Sequence, residues 1–243
     1  MLLNCDLGES YGARRVGQDA AIMPHIHQAN IACGFHGGDP LTIAQTLELA
    51  REHGVSVGAH PAYPDLEGFG RRSMALPEPE LIAAMHYQIA ALEGMALSCG
   101  LTLVHVKAHG ALYNDMLAKP AVRASVLRAV ACYHRPLTLV LQATGNAAEH
   151  REEARAAGVK VQMEAFADRR YRADGSLQPR DQPGAVLDAA EMQVQASRLC
   201  SEGQVLTVEG SLLQLDAETL CVHGDNPASV SAVRALRALI DAG

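Results

Sequence analysis

An incomplete or distorted seven-stranded β/α barrel is the fold this sequence predicts, with a doubly wound sheet as the alternative. Three observations predict it. Strand-like apolar runs alternate with helical stretches along the whole chain, which implies parallel strands joined by crossovers. A length of 243 residues suits one barrel of this kind. Short polar motifs complete or follow the strand-like runs, where barrel enzymes carry their chemistry: NCDLGES (4–10), ANIACGFHGGDP (29–40), GAHPAYPD (58–65), HVKAHGALYND (105–115), EAFADRRY (164–171), VEGS (208–211) and CVHGD (221–225).

The elements follow in order. Residues 2–6 read as a first strand and 29–34 as a second. Asp39-Pro40 opens a helix that runs to His53 and is closed by Gly54, because Asp caps, Pro suits the first helical position and Gly tolerates the left-handed stop. VSVGAH (55–60) is the third strand, followed by a loop rich in Gly, Pro and Arg over 61–76. Glu78 to Cys99 forms a long amphipathic helix ending at Gly100, and LTLVHVKA (101–108) is the fourth strand. A helix over 119–134 leads to PLTLVLQA (136–143), and a helix over 146–157, closed by Gly158, leads to VKVQMEAF (159–166). A polar loop covers 168–184, and a helix over 185–202 ends at Gly203. QVLTVEG (204–210) reads as the seventh strand, which TLCVHGD (219–225) extends or follows, and 227–241 is the final helix. No repeat or linker divides the chain, so one domain over 1–243 is expected.

Side chains alternate faces along a strand, and the polar ones share one register. Asn4 and Asp6 pair in this way, as do Asn30, Gly34 and His36; Ser56, Gly58 and His60; His105, Lys107 and His109; and Glu164 and Asp168. Val55, Val57, Val104 and Val106 fall in the other register. With helices outside, the apolar register faces them and the polar register lines the lumen. Such a lumen is costly unless its groups pair or bind a ligand.

Composition narrows the function. A net charge of −7 and only three lysines, Lys107, Lys119 and Lys160, disfavour nucleic-acid or anionic-membrane binding. Six cysteines without a CxxC pair suit buried thiols in a reducing cytoplasm. No signal-peptide pattern opens the chain, and no apolar run of about 18 residues predicts a membrane span.

Asp6, at the end of the first strand, is a candidate base or metal ligand. Glu9 stands close by. His36 precedes Gly37-Gly38, whose backbone can approach a ligand closely, whereas Asp39 reads as a helix cap. Asp6, His36 and His60 together make an Asp-His-His set that either ligates a metal or is simply polar lumen. Lys107, inside an apolar strand, needs Glu164, Asp6 or a substrate anion as partner. His109 shares its face, and His105, deeper, is expected as a hydrogen-bonded core histidine. Glu164 can polarise a water; Asp168 joins the site or holds Arg169 or Arg170. His223 and Asp225 end the last motif, Asp225 also as a cap. Arg71 and Arg72 suit a carboxylate or phosphate. Tyr63, Tyr113 and Tyr171 either cover a ligand or pack loops.

The same strings resemble the LamB/YcsF family, whose pattern runs DLNCDLGE, SANIACGFHAGDP, GAHPGYPD, GFGRR, KPHGALYN, EAFADR.Y and CVHGD. NCDLGES, ANIACGFHGGDP, GAHPAYPD, GFGRR, KAHGALYN, EAFADRRY and CVHGD match it over residues 4–225, with Leu2-Leu3, Gln28, Gly37 and Ala108 as departures. The resemblance implies a barrel of the glycoside hydrolase/deacetylase type. It also implies opening of the lactam of 5-oxo-L-proline to L-glutamate with ATP as cosubstrate, in a complex with two partners, 5-oxoprolinase subunits B and C. On that reading Asp6 or Glu164 activates water, Lys107 stabilises developing negative charge and His60 or His109 donates to the leaving nitrogen. Asn4, His36, Arg72, Asp168 and His223 would bind substrate. No GxxxxGK[ST] loop occurs, so the partners are expected to activate the lactam with ATP. A divalent metal stays open. The rivals are a metal-dependent amidohydrolase or sugar deacetylase, and a non-catalytic carrier of a small carboxylate.

Overall fold

The computed structural model describes residues 1–180, 182–223 and 227–242. In chain order the elements are β1 (Leu2–Leu7), α1 (Asp19–Ile22), β2 (Gln28–Ala32), α2 (Pro40–His53), β3 (Ser56–His60), α3 (Glu78–Ser98), β4 (Leu103–Lys107), α4 (Gly110–Ala118), α5 (Pro120–Ala131), β5 (Thr138–Gln142), α6 (Ala147–Ala156), β6 (Lys160–Phe166), α7 (Ala189–Glu202), β7 (Gln204–Leu206), β8 (Leu212–Gln214), β9 (Thr219–Cys221) and α8 (Pro227–Ala242). Strands β1 to β6 and β9 close into a barrel, each neighbouring pair parallel, with β1 lying between β2 and β9. The outward register of these strands, Leu3, Cys5, Ile31, Val57, Val106 and Leu220 among it, is buried in the apolar layer shared with the helices. Among the described residues no helix is long and apolar enough to cross a membrane.

The seventh barrel strand is Thr219–Cys221, not residues 204–210. Gln204–Leu206 turns back on itself and pairs antiparallel with Leu212–Gln214, outside the barrel. The cause is local: Gly210, at φ 82°, and the Thr207–Ser211 hydrogen bonds reverse the chain before it can reach the barrel. VEGS is therefore the turn of this hairpin and takes no part at the barrel mouth. Residues 110–118 are helical, a short element beyond those the sequence pattern predicts; extended Lys119 and Pro120 separate it from α5. Helix α7 starts later than expected, at Ala189, because Asp188 and Glu191 form a capping box. Asp39 caps α2 through the Thr42 N–H, as expected. Asp225 lies outside the described residues.

The polar register does line the lumen, and its groups satisfy one another. Asn4 Nδ2 donates to Thr219 Oγ1 (2.9 Å), Asn30 Nδ2 to Asn4 Oδ1 (2.8 Å), and Gln28 Nε2 to Gln162 Oε1 (3.1 Å). His105 is the expected core histidine, bonded through Nε2 to Asn30 Oδ1 at 2.7 Å. Gly58 makes room for it: a Cβ there would stand 2.2 Å from the imidazole. A buried network of this kind is tolerated because its members pair.

Candidate functional site

A cavity of about 520 Å³ opens at the carboxyl ends of the strands, the expected position for a barrel's ligand site. Lys107 rises from the lumen into its floor. Its ammonium lies 2.9 Å from Asp6 Oδ1, 2.9 Å from Glu164 Oε1 and 3.1 Å from Cys221 Sγ. Burial works against the charge, but Asp6, Cys221 and Glu164 outweigh it and hold the Lys107 pKa well above the usual lysine value. Burial likewise raises the Asp6 pKa, and the charges of His60 and Lys107 reverse that, keeping it well below the usual carboxylate range. Tyr113, from the first turn of α4, donates to Glu164 Oε2 at 2.8 Å.

Beside this ion cluster stands a group of imidazoles. His60 Nδ1 donates to the Lys107 carbonyl (2.7 Å) and His109 Nε2 to the Phe69 carbonyl (2.9 Å). His60 Nε2 and His109 Nδ1 then face each other at 3.0 Å. Glu9 Oε1 lies 3.1 Å from His36 Nε2 and 3.3 Å from His109 Nδ1, and His36 stacks on His109 with ring centroids 3.6 Å apart. Phe69 holds a positive φ of 56°, an unfavoured backbone state for a residue with a side chain, and that conformation brings its carbonyl and ring onto His109. Gly70 allows the packing, since a Cβ there would meet the His109 ring at 2.7 Å. Burial lowers the pKa of His109, and lowers that of His36 to about 3, with His109 adding to the effect. His60 goes the other way: burial opposes its charge, and Asp6 more than compensates.

On the opposite wall His223 Nδ1 is bonded to Asp168 Oδ2 at 2.8 Å, and its Nε2 faces Asp6 Oδ2 at 3.8 Å. Asp168 therefore orients His223 and does not hold Arg170, which pairs with Glu191, or Arg169. Arg169 lines the cavity, donates to the Gln178 carbonyl at 2.6 Å, and has a buried Nε without a hydrogen-bond partner.

Asp6, His60, Lys107, His109 and His223 all line the cavity. Glu164 lies fully buried beneath Lys107, Asn4 deeper in the lumen, His36 behind His109 and Asp168 behind His223. Arg72 does not reach the cavity: its guanidinium is bound by Asp65, and its neighbour Arg71 is the one that lines the wall. The expected Asp-His-His set is also revised. His36 and His60 meet Glu9 and His109, while Asp6 turns its Oδ1 to the Lys107 ammonium. Gln142 also lines the cavity, a residue to which the sequence pattern assigns no role; its polar side chain ends the apolar β5 run in the lumen register, and that position is the available signal. Tyr63 and Tyr171 pack loops, bonded to Asp115 and the Phe166 N–H, and of the three tyrosines Tyr113 reaches the cavity.

A closed seven-stranded β/α barrel with a polar lumen and titratable side chains gathered at its carboxyl mouth is the class that fold and site define. The family model described as LamB/YcsF family matches residues 1–243. The chain is 52% identical over 242 residues to a protein of Pseudomonas putida named as the second 5-oxoprolinase A-subunit of that organism, covering 99% of this chain and 94% of that one. It is 50% identical over 241 residues to the 5-oxoprolinase A-subunit of Chromohalobacter salexigens, covering 99% and 96%. Among solved structures, a lactam utilization protein from Thermus thermophilus superposes with a TM-score of 0.90 at 42% identity, covering 100% of this chain and 96% of that one. The chain belongs to the LamB/YcsF family.

Proposed function

We propose that this chain is the ring-opening component of an ATP-dependent 5-oxoprolinase, converting 5-oxo-L-proline to L-glutamate with ATP hydrolysis in a cytoplasmic complex with partner subunits B and C. The observation that carries it is the Asp6–Lys107–Glu164 ion cluster at the floor of a small polar cavity. The likeness to proteins named as 5-oxoprolinase A-subunits supports it.

A lactam is a stabilised amide, so opening it requires a positioned water, a stabiliser for the developing oxyanion and a proton for the departing nitrogen. Lys107, locked by two carboxylates, presents a fixed positive charge to the oxyanion. Asp6 Oδ2, the oxygen not engaged by Lys107, takes the proton of a water held at the His60–His109 side. His223 Nε2, with Nδ1 fixed by Asp168, delivers a proton to nitrogen, an orienter–imidazole arrangement familiar from hydrolytic triads. Glu164 and Asn4 position Lys107 from below. Arg169 offers its guanidinium to the substrate carboxylate. ATP enters through the partners, which activate the lactam, because the sequence has no Walker-type lysine loop.

The test is glutamate release from 5-oxoproline by the purified chain, by its candidate partners, and by the mixture, with and without ATP. Activity is expected only in the mixture with ATP. Robust ATP-dependent ring opening by the chain alone would place the nucleotide site here and refute the division of labour.

A further inference from the structure

The structure assigns a divalent transition-metal site of the zinc class to Glu9, His36, His60 and His109; we infer it from lone pairs that converge with nothing between them. Backbone carbonyls fix two of the tautomers. A carbonyl only accepts, so His60 must carry its hydrogen on Nδ1, toward Lys107 O, and His109 on Nε2, toward Phe69 O. Their remaining nitrogens, His60 Nε2 and His109 Nδ1, are then bare and point at each other across 3.0 Å. A carboxylate oxygen, Glu9 Oε1, faces His109 Nδ1 at 3.3 Å and His36 Nε2 at 3.1 Å. His36 Nδ1 is buried without a partner, so no group in the protein opposes the tautomer that leaves Nε2 free.

Acceptor facing acceptor at such distances is repulsive unless a proton or a cation lies between them. One added proton relieves one axis and leaves the others opposed. A cation at the centre meets all four donors, which lie within 4.8 Å of one another. The measured edges of 3.0 to 3.3 Å match the roughly 3.3 Å edge of a tetrahedron whose bonds are about 2.0 Å, the length of zinc–imidazole and zinc–carboxylate bonds. Three imidazoles and one carboxylate select a borderline metal over Mg²⁺ or Ca²⁺, which prefer all-oxygen shells. Ring nitrogens held by backbone carbonyls are also the usual outer support of metal-binding histidine. The strained Phe69 backbone now has a purpose, since it supplies one of those carbonyls. Glu9, His60 and His109 line the cavity, which gives the ion an entry path and leaves it beside the proposed water position.

A second convergence, Asp6 with Cys221 and His223, does not qualify. The Lys107 ammonium already lies 2.9 Å from Asp6 and 3.1 Å from Cys221, and it repels a second cation.

The experiment uses the full chain without a histidine tag, stripped with chelator and then titrated with Zn²⁺ and with Co²⁺. Expected are one equivalent of metal by elemental analysis, d–d absorption from Co²⁺ in a nitrogen- and oxygen-rich tetrahedral field, and a rise in Tm. Glu9→Gln, which preserves shape, should weaken binding about 100-fold, and the double variant Glu9→Gln/His109→Ala should abolish it. Cys221→Ser should leave binding unchanged. Failure of the folded, stripped protein to take up Zn²⁺ or Co²⁺, or uptake indifferent to the double variant, would overturn the assignment. The measurement needs neither substrate nor partners, so the lactam reading stands or falls separately.

Discussion

Lys107 concentrates the chemistry of the molecule at one atom. Its ammonium holds two carboxylates in the lumen, and no second lysine stands near it in the site. Lys107→Met keeps length and apolar bulk but removes the charge. Turnover in the reconstituted complex should fall by about 100-fold or more, the scale for losing an electrostatic stabiliser. Stability should fall as well, by about 3–5 kcal/mol, because Asp6 and Glu164 are left buried without a counter-charge. Steady-state kinetics and thermal melts on the same sample separate the two effects; near-wild-type turnover would remove Lys107 from the mechanism. At this scale the sequence was informative where a residue type was out of place. A lysine in an apolar strand and an Asp at a strand end both announced themselves. Glu9, Arg169 and Gln142 were harder to read, because each is polar in a context where polarity is ordinary, and only the closure of the barrel shows what they face. Arg72 misled for the same reason, since adjacent arginines in a loop give no indication of which one turns inward.

Elements in the barrel were legible through two-residue alternation, and those beyond the strand ends were not. Alternation placed Asn4, Asn30, His105, Lys107 and Glu164 in the lumen because they lie within strands. His36, His109 and Asp168 sit past the ends of β2, β4 and β6, where loop geometry, not alternation, decides direction. The hairpin β7–β8 was misread because a short apolar run carries no sign of its partner, and a nearby glycine turn chose that partner locally. The packing of β3 against β4 provides a test at this level. Gly58→Ala would set a Cβ 2.2 Å from the His105 ring, which is held in place by Asn30. Destabilisation of about 1–3 kcal/mol is expected from overpacking. In the double variant Gly58→Ala/His105→Ala the losses should add to less than their sum, because the clash disappears with the ring. Denaturant melts that show Gly58→Ala as stable as the parent would contradict the tight fit.

For the molecule as a whole the buried histidine network sets a pH limit. Burial, with Lys107 and His60, lowers the His105 pKa to about 3. The unfolded chain titrates this histidine near the ordinary value of about 6.5. Between those values the unfolded state binds a proton that the folded state refuses, so its contribution is complete above about pH 6.5 and is lost as pH falls toward 3, at up to about 1.4 kcal/mol per pH unit. Melts of the parent and of His105→Gln between about pH 7.5 and 5 should therefore diverge, the variant falling less steeply; parallel curves would mean that His105 is not buried neutral. The closed barrel also bears on time. Strand β1 pairs with β9, and Asn4 bonds Thr219 across 215 positions of chain. Asp6 and Lys107 can be synthesised early, yet the strand that walls in their ion pair, and contributes Cys221 to it, comes last among the barrel strands. Long-range closure of this type is slow. During biosynthesis the nascent barrel must therefore persist with β1 and β6 as open edges and a charged, half-built lumen, and the ring-opening machinery comes into being only in the final step of folding.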